Sequence, residues 1–260
     1  MTPRLGGPAV DAVLFDYGNT LMTVERPDAA LQRSYERIAQ RLRDEGLRPP
    51  APATLLRDVH DRVENEFIEH QRSGALEEMD LVAAVRRAYS DLGMDVNEHL
   101  LDDVQSVEQE AWWQGIHLEP QAISTLEALR AQGKRVGLCS NAPYRVRSLL
   151  DQLAYVGLRQ HLDSVTFSAQ VGWRKPSARI FAAALRALGA SAASTVMVGD
   201  SIRDDIAGAR AAGLRSVLYT AHQSTTPAPS DAAPDATVDS LSELIPLLQG
   251  TRIEADARTP

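Results

Sequence analysis

The chain of 260 residues is long enough for one large domain or two smaller ones, each with a sizeable core. Its hydrophobic share of 44% and charged share of 24% are ordinary for a soluble globular protein, and its net charge of -8 argues against nucleic acid as a partner. No apolar run is long enough to cross a bilayer, and the N-terminal residues lack the apolar core of a signal peptide, so we expect a cytoplasmic protein with no membrane partner.

The first predicted element is a strand over residues 12–15, an apolar run that ends at Asp16. The turn formers Gly18 and Asn19 follow, and then the hydroxyl of Thr20. A short apolar run bounded by turn residues is typical of a strand buried on both faces of a parallel sheet. Ligands of such sheets bind beyond the carboxyl ends of the strands, so we expect the chemistry of this protein at Asp16.

Residues 27 to about 113 predict a helical insertion with little strand character. Pro27 and Gly46 mark the start and the end of its first helix. Trp112 and Trp113 close the segment, and we expect them to serve as a hinge or as core packing. The apolar stripes at helical spacing lie over residues 31–42, 55–67, 81–92 and 100–111.

Beyond this insertion, predicted strands and helices alternate, which favours a parallel sheet with right-handed crossovers. Residues 220–234 are rich in Ser, Thr, Ala and Pro and predict a mobile loop, and the polar residues 249–260 predict a disordered tail. The predicted strands are 135–139, 164–168, 195–198, 216–219 and 236–238, and the predicted helices are 120–133, 145–153, 178–188, 206–212 and 241–248.

Side chains that can support catalysis follow several of the predicted strands. Because the carboxyl ends of parallel strands meet at one edge of a sheet, we expect these side chains to converge. Lys134 and Lys175 are the only lysines, so a chemistry that needs a lysine has two candidates. The residues at the predicted strand ends and the loops after them are Asp16, Ser140, Asn141, Lys175, Asp200, Asp204 and Asp205.

In order and spacing these motifs resemble the haloacid dehalogenase superfamily, a large group of aspartate-nucleophile phosphatases, over roughly residues 11–248. The most specific segments are residues 15–21 (FDYGNTL) and 198–209 (VGDSIRDDIAGA), and Lys175-Pro176 looks like the third motif of the family. The helical insertion is similar to the cap of the subgroup called C1.

The resemblance implies a fold and a domain organisation. We expect an α/β protein in which a Rossmann-like parallel sheet core carries an inserted all-helical cap domain. The cap would close over the site and contact the body of the substrate. The expected boundaries are residues 1–24 and 114–248 for the core, 25–113 for the cap and 249–260 for the tail.

The chemistry can also be argued from the residues. Phosphoryl transfer needs a nucleophile in line with phosphorus and positive charge around the phosphoryl oxygens. Asp16 can attack as a carboxylate and give an aspartyl-phosphate that water later hydrolyses. A carboxylate and a phosphate repel each other, so a cation must lie between them, and the oxygen donors of Asp16 and Asp200 suit Mg²⁺. Lys175 supplies a further point charge for the phosphate and the nucleophile.

Neutral hydrogen-bond donors complete the predicted phosphate site. Ser140 can donate its hydroxyl to a phosphate oxygen, and Asn141 can do the same through its amide. Thr20 is a further candidate for phosphate binding.

The resemblance adds the main-chain carbonyl of Gly18 as a metal ligand. It also implies that either Asp204 or Asp205 orients Lys175 or a water on the metal, and the sequence leaves the choice between them open. Most phosphatases of the family carry a second aspartate, the general acid, at the position of Gly18. Such an acid contributes about 10²–10⁴-fold in rate. We therefore expect substrates with good leaving groups, such as acyl or sugar-1-phosphates, or a proton from the cap, water or the substrate.

The sequence predicts a Mg²⁺-dependent phosphatase of a small phosphorylated metabolite, acting as a monomer or homodimer. A 2-haloacid dehalogenase is an alternative, although the dehalogenases of the family lack the aspartate pair that Asp200 helps to form here. A phosphonatase would need a cap lysine, and residues 27–113 contain none. A non-catalytic binding or regulatory protein is supported only by Gly18.

Overall fold

The computed structural model describes residues 5, 6, 8–222 and 233–249. Its strands are β1 (Ala12–Phe15), β2 (Met22–Val24), β3 (Ile116–Leu118), β4 (Arg135–Ser140), β5 (Ser164–Phe167), β6 (Thr195–Gly199), β7 (Arg215–Tyr219) and β8 (Ala236–Val238). Its α-helices are α1 (Asp28–Asp44), α2 (Pro52–Leu55), α3 (Arg62–Ser73), α4 (Leu81–Asp91), α5 (Glu98–Trp112), α6 (Ala122–Ala131), α7 (Val146–Tyr155), α8 (Ser168–Val171), α9 (Ala178–Leu188), α10 (Gly208–Ala211) and α11 (Leu244–Leu247).

Six strands form one parallel sheet in the order β5-β4-β1-β6-β7-β8, which confirms the predicted α/β fold with a Rossmann-like core. Strand β1 lies between β4 and β6, and Phe15 is in register with Leu138 and Val198. The next residue, Asp16, donates its backbone N–H to the carbonyl of Val198 at 2.9 Å. The ends of these three strands therefore meet at one edge of the sheet.

The apolar run of β1 is explained by burial on both faces of the sheet. All four of its side chains are fully buried. Val13 and Phe15 pack into one core cluster, and Ala12 and Leu14 pack into the cluster on the opposite face. Cys139 lies in the second cluster, as expected for a small core side chain.

The helices α1–α5 lie between β2 and β3 in the chain and bury a hydrophobic cluster of their own. Strands β2 and β3 pair antiparallel, with Met22 opposite Leu118, where the chain leaves the core and where it returns. Two three-residue strands carry too short a pattern to be predicted, and the sequence analysis missed this pair. The division into core and cap at residues 24 and 113 stays a prediction, which this arrangement supports.

Two predicted helices differ from the observed ones. The stripe over residues 55–67 is divided into α2, a π-helical segment at Leu56–Asp61, and α3. The helix predicted from residue 206 begins earlier, as a π-helical segment at Ile202–Ala207. π-Helical segments are rare and occur frequently at functional sites.

Parts of the predicted mobile loop, residues 223–232, and of the predicted tail, residues 250–260, lie outside the described residues. Among the helices that the structure describes, none combines the length and the hydropathy that a membrane span requires.

Candidate active site

The carboxyl edge of the sheet brings together a lysine and three aspartates. Lys175 Nζ lies 2.9 Å from Asp16 Oδ1 and donates a hydrogen bond to Asp205 Oδ1 at 2.6 Å. One carboxylate oxygen each of Asp16, Asp200 and Asp205 lie within 4.8 Å of one another. The sequence analysis expected this convergence, and these four side chains form the acidic-lysine cluster of the site.

Lys175 is held in place by its main chain as well as by its charge. Its backbone N–H donates to Asn141 Oδ1 at 2.7 Å, and Asn141 Nδ2 donates to its carbonyl at 3.2 Å. The lysine side chain is buried, which disfavours its charge, but the carboxylates of Asp16 and Asp205 raise its pKa overall. Lys175 is therefore a positively charged group held in a fixed position. Asn141 helps to hold it, since its amide makes both hydrogen bonds to the backbone of Lys175. The prediction that Asn141 binds phosphate stays a prediction.

The structure places the side chains of Asp204 and Asp205, between which the sequence left the choice open, in different surroundings. Asp205 is fully buried, and its Oδ2 accepts the backbone N–H of Ser201 at 3.0 Å while its Oδ1 accepts from Lys175. Asp204 has a side chain that is 30% exposed and lies 3.9 Å from Arg203. Asp205 therefore contacts Lys175 directly, and Asp204 lies outside the acidic-lysine cluster.

Gly199 is required by the close approach of Asp205. A Cβ at position 199 would lie 2.3 Å from the carboxyl group of Asp205, which is buried and held by Lys175 and the backbone of Ser201. Gly199 thus allows the side chain of Asp205 to pack directly against the end of β6.

Asp200 differs from Asp205 in that it forms no ion pair with any of the described residues. Burial and the charge of Asp16 raise the pKa of Asp200 to about 6. Both oxygens of Asp205 are already used by Lys175 and Ser201, so Asp16 and Asp200 carry the carboxylate oxygens that remain for a cation. Two such oxygens close together suit a hard divalent ion that keeps several waters.

The remaining predicted residues lie nearby in different settings. Ser140 ends β4 and lines a cavity next to the cluster. Gly18 lines the same cavity, and a Cβ added there would have no heavy atom within 4 Å. Thr20 is fully buried, and its hydroxyl has no hydrogen-bond partner among the described residues. The roles predicted for these three residues stay predictions.

A cavity of about 230 Å³ lies between the cap and this edge of the sheet. The cap contributes Glu64, Gln109, Trp112 and Trp113 to its lining. Glu64 and Gln109 were not predicted as site residues, and the two tryptophans were expected to serve as a hinge or as core packing. No local pattern distinguishes these residues from other helix residues, because only the docking of the cap turns them towards the core.

Buried polar contacts join the cap to the core beside the lysine. Arg174 Nη1 lies 2.9 Å from Glu78 Oε1, and both side chains are almost fully buried. The backbone N–H of Arg174 donates to the carbonyl of Leu76 at 2.8 Å, and the N–H of Glu78 donates to the carbonyl of Gly172 at 3.0 Å. Because Arg174 precedes Lys175, the position of the cap is linked to that of the lysine.

The fold and the site define an α/β protein with an acidic-lysine centre at the carboxyl edge of a parallel sheet. A family model described as a haloacid dehalogenase-like hydrolase matches residues 10–213. The chain therefore belongs to the haloacid dehalogenase-like hydrolase family.

Individual relatives agree with this assignment. The chain is 38% identical over 128 residues to haloacid dehalogenase-like hydrolase domain-containing protein 3 of Bos taurus, which covers 49% of this chain and 50% of the relative. It is 34% identical over 144 residues to the ribulose-1,5-bisphosphate 5-phosphatase of Halopiger xanaduensis, and this alignment covers 53% of the chain and 59% of the relative. The alignments thus span between half and three fifths of these relatives.

A solved structure matches over nearly the whole chain. The crystal structure of a 2-haloacid dehalogenase from Pseudomonas syringae is 26% identical, has a TM-score of 0.66 and covers 92% of this chain and 98% of its own.

Proposed function

We propose that this protein is a Mg²⁺-dependent phosphatase that hydrolyses a small phosphorylated metabolite through an aspartyl-phosphate on Asp16. One observation carries the proposal. Asp16 directly follows the central strand, contacts a buried lysine, and lies beside a second aspartate that forms no ion pair with any described residue, and the nearby Gly18 and Ser140 line a cavity. A nucleophile, a fixed positive charge and donors for a metal are the parts that phosphoryl transfer requires.

In the proposed reaction the Asp16 carboxylate attacks phosphorus, the ester P–O bond breaks and the leaving group takes up a proton. Water then hydrolyses the acyl-phosphate and regenerates Asp16. Lys175 stabilises charge on the phosphoryl oxygens, Asp205 and Asn141 hold Lys175, and Ser140 donates a hydroxyl to the phosphate.

Asp16 and Asp200, with the carbonyl of Gly18, would hold the Mg²⁺. Bound there, the ion neutralises the repulsion between the Asp16 carboxylate and the phosphate. The donor set fits this ion because both side chains offer carboxylate oxygens, and the group of possible metal ligands found among the described residues contains no histidine or cysteine.

The principal experiment is a hydrolysis assay with p-nitrophenyl phosphate and acetyl phosphate, with and without Mg²⁺. We expect activity that is lost in chelator and in Asp16→Asn. Asp205→Asn should lose most activity because Lys175 loses its partner, whereas Asp204→Asn, the same change one residue away, should retain most of it. Halide release from 2-haloacids without metal would instead indicate a dehalogenase. No turnover of any substrate would indicate a binding protein.

Gly18→Asp tests the absence of a general acid. The variant should fold, because a Cβ there meets no heavy atom within 4 Å. If protonation of the leaving group limits the wild-type rate, the new carboxyl should raise kcat for alkyl phosphates by about 10²-fold and leave p-nitrophenyl phosphate nearly unchanged. If Gly18→Asp changes kcat equally for alkyl phosphates and p-nitrophenyl phosphate, a group other than the residue at position 18 protonates the leaving group.

A further inference from the structure

The charge distribution of the cavity beside Asp16 indicates which leaving groups it accepts. The cavity lies next to Gly18 and Ser140 on the core side, where the phosphate is proposed to bind. Its other end is formed by the cap, so the leaving group of a bound ester would extend towards Glu64 and Gln109.

Among the described residues that line this cavity, Glu64 is the only one with an acidic or basic side chain other than tyrosine. No lysine, arginine or histidine is among its lining residues in the described parts of the chain. Two cations of the cap act on Glu64, and both are already paired, Arg26 with Asp61 and His60 with Glu108. A second anionic group on a substrate would therefore meet no unpaired cation in the described lining of the cavity and would face a carboxylate.

The uncharged lining favours a ring with hydrogen-bonding groups. Trp112, Trp113 and Tyr144 provide aromatic surface. Gln109 Oε1 and Trp113 Nε1 are buried and have no hydrogen-bond partner in the part of the chain that the structure describes, so they can accept from and donate to a ligand. Buried polar atoms in native proteins are usually paired, so these two are suited to a bound molecule.

We propose that this cavity selects phosphate monoesters by the charge of the leaving group, accepting neutral or cationic ring-bearing groups and rejecting those with a carboxylate or a second phosphate. The proposal rests on the proposed phosphatase function and names its substrate class. Glu64 is a specificity-determining residue, since it contacts the leaving group and takes no part in the phosphoryl transfer.

The size of the discrimination follows from the distance between charges. At an effective dielectric of about 20, the charge of Glu64 weakens the binding of a second anion about 5 Å away by roughly 10²-fold. Solvent in the open cavity screens part of this repulsion, so we expect a discrimination of about tenfold or more. Burial raises the pKa of Glu64, the charges of His60 and Arg26 oppose this, and the charge of Glu108 adds to it, so that the pKa is raised overall. Assays at pH 8 favour the ionised form.

The experiment compares phosphotyramine with phosphotyrosine, which differ by one carboxylate on the same phenolic leaving group. We expect kcat/KM to be at least about tenfold higher for phosphotyramine, with p-nitrophenyl phosphate as the neutral reference. Glu64→Gln should reduce this ratio several-fold by improving phosphotyrosine and weakening phosphotyramine. Glu69→Gln, the same change on the exposed side of α3, should leave the ratio unchanged.

The outcomes distinguish the two proposals. Hydrolysis of all three compounds with a ratio near one, or a ratio that Glu64→Gln does not move, overturns the charge selection and leaves the phosphatase function intact. No Mg²⁺-dependent hydrolysis of any of the three overturns the phosphatase function and the charge selection with it.

Discussion

Replacing Lys175 by methionine should destabilise the fold through the carboxylates that it leaves behind. Lys175 Nζ lies 2.9 Å from Asp16 Oδ1 and 2.6 Å from Asp205 Oδ1, and the lysine is only 3% exposed. Methionine has a similar volume, so the variant removes the charge with little change in packing. The perturbation thus tests whether the acidic cluster depends on its cation.

The magnitude can be derived from the geometry. Two carboxylate charges at 4.8 Å, the outer limit for the three aspartate oxygens, repel by about 3.5 kcal/mol at an effective dielectric of about 20. This agrees with the loss of about 3–5 kcal/mol that follows when one partner of a buried ion pair is removed. We expect Lys175→Met to lower the free energy of unfolding by that amount at pH 8.

The loss should depend on pH in a defined direction. Without the lysine, the pKa values of the clustered carboxyls rise further above those of the unfolded chain, and the pKa of Asp200 is already about 6. The folded state then binds more protons than the unfolded state, so stability falls as pH rises through this range and recovers as pH is lowered. The deficit of Lys175→Met relative to wild type should therefore shrink between pH 8 and pH 5.5.

Urea unfolding in chelator measures this, with Lys134→Met as the matched control. Lys134 is also buried, but its Nζ donates to the carbonyl of Val10 at 2.8 Å and faces no carboxylate cluster. Its replacement should cost about 1–3 kcal/mol with little difference between the two pH values. If Lys175→Met is as stable as Lys134→Met at pH 8, or its deficit does not shrink at pH 5.5, the electrostatic account of the cluster is wrong.

Three further predictions concern the metal, the cap contact and a buried histidine. Mg²⁺ affinity measured by calorimetry should fall steeply below about pH 6, because protonated Asp200 cannot hold a cation, and an affinity constant from pH 5 to 8 would contradict this. Glu78→Ala should lower the free energy of unfolding by about 3–5 kcal/mol because Arg174 stays buried without a partner, and a loss below about 1 kcal/mol would show that the pair is solvated. Burial opposes the charge of His60, but its hydrogen bond with Glu108 raises its pKa overall. The stability that protonated His60 contributes to the fold is therefore complete below the unfolded pKa of about 6.5, and it is lost as pH rises through the higher folded pKa. The stability difference between wild type and His60→Gln should therefore be larger at pH 6 than at pH 9, and equal differences would refute it.

Most of the sheet was predictable because its signals are local. The residues before Asp16 are all apolar, because both faces of this strand are covered by hydrophobic clusters. Helix α9 begins and ends as its pattern predicts, between Ser177, which caps it, and Gly189 with positive φ. The pair β2 and β3 escaped prediction because three residues carry no measurable period.

The acidic-lysine cluster was predicted less completely. Strand ends pointed to Asp16 and Asp200, and the scarcity of lysine pointed to Lys175. The adjacent Asp204 and Asp205 have the same side chain and nearly the same neighbours in sequence, so nothing local distinguishes them. The π-helical segment after Ser201 turns one of them into the core and leaves the other partly in solvent.

The sequence by itself determined the alternation of strands and helices and the carboxylates at the strand ends, because hydrophobic period and turn chemistry act over a few residues. Only the tertiary structure decided that Asp205 pairs with Lys175, and that Glu64 is the charged group in the cavity. These relationships join residues far apart in the chain. They exist only once the cap is docked on the core, since burial and electrostatic distance are properties of the packed molecule.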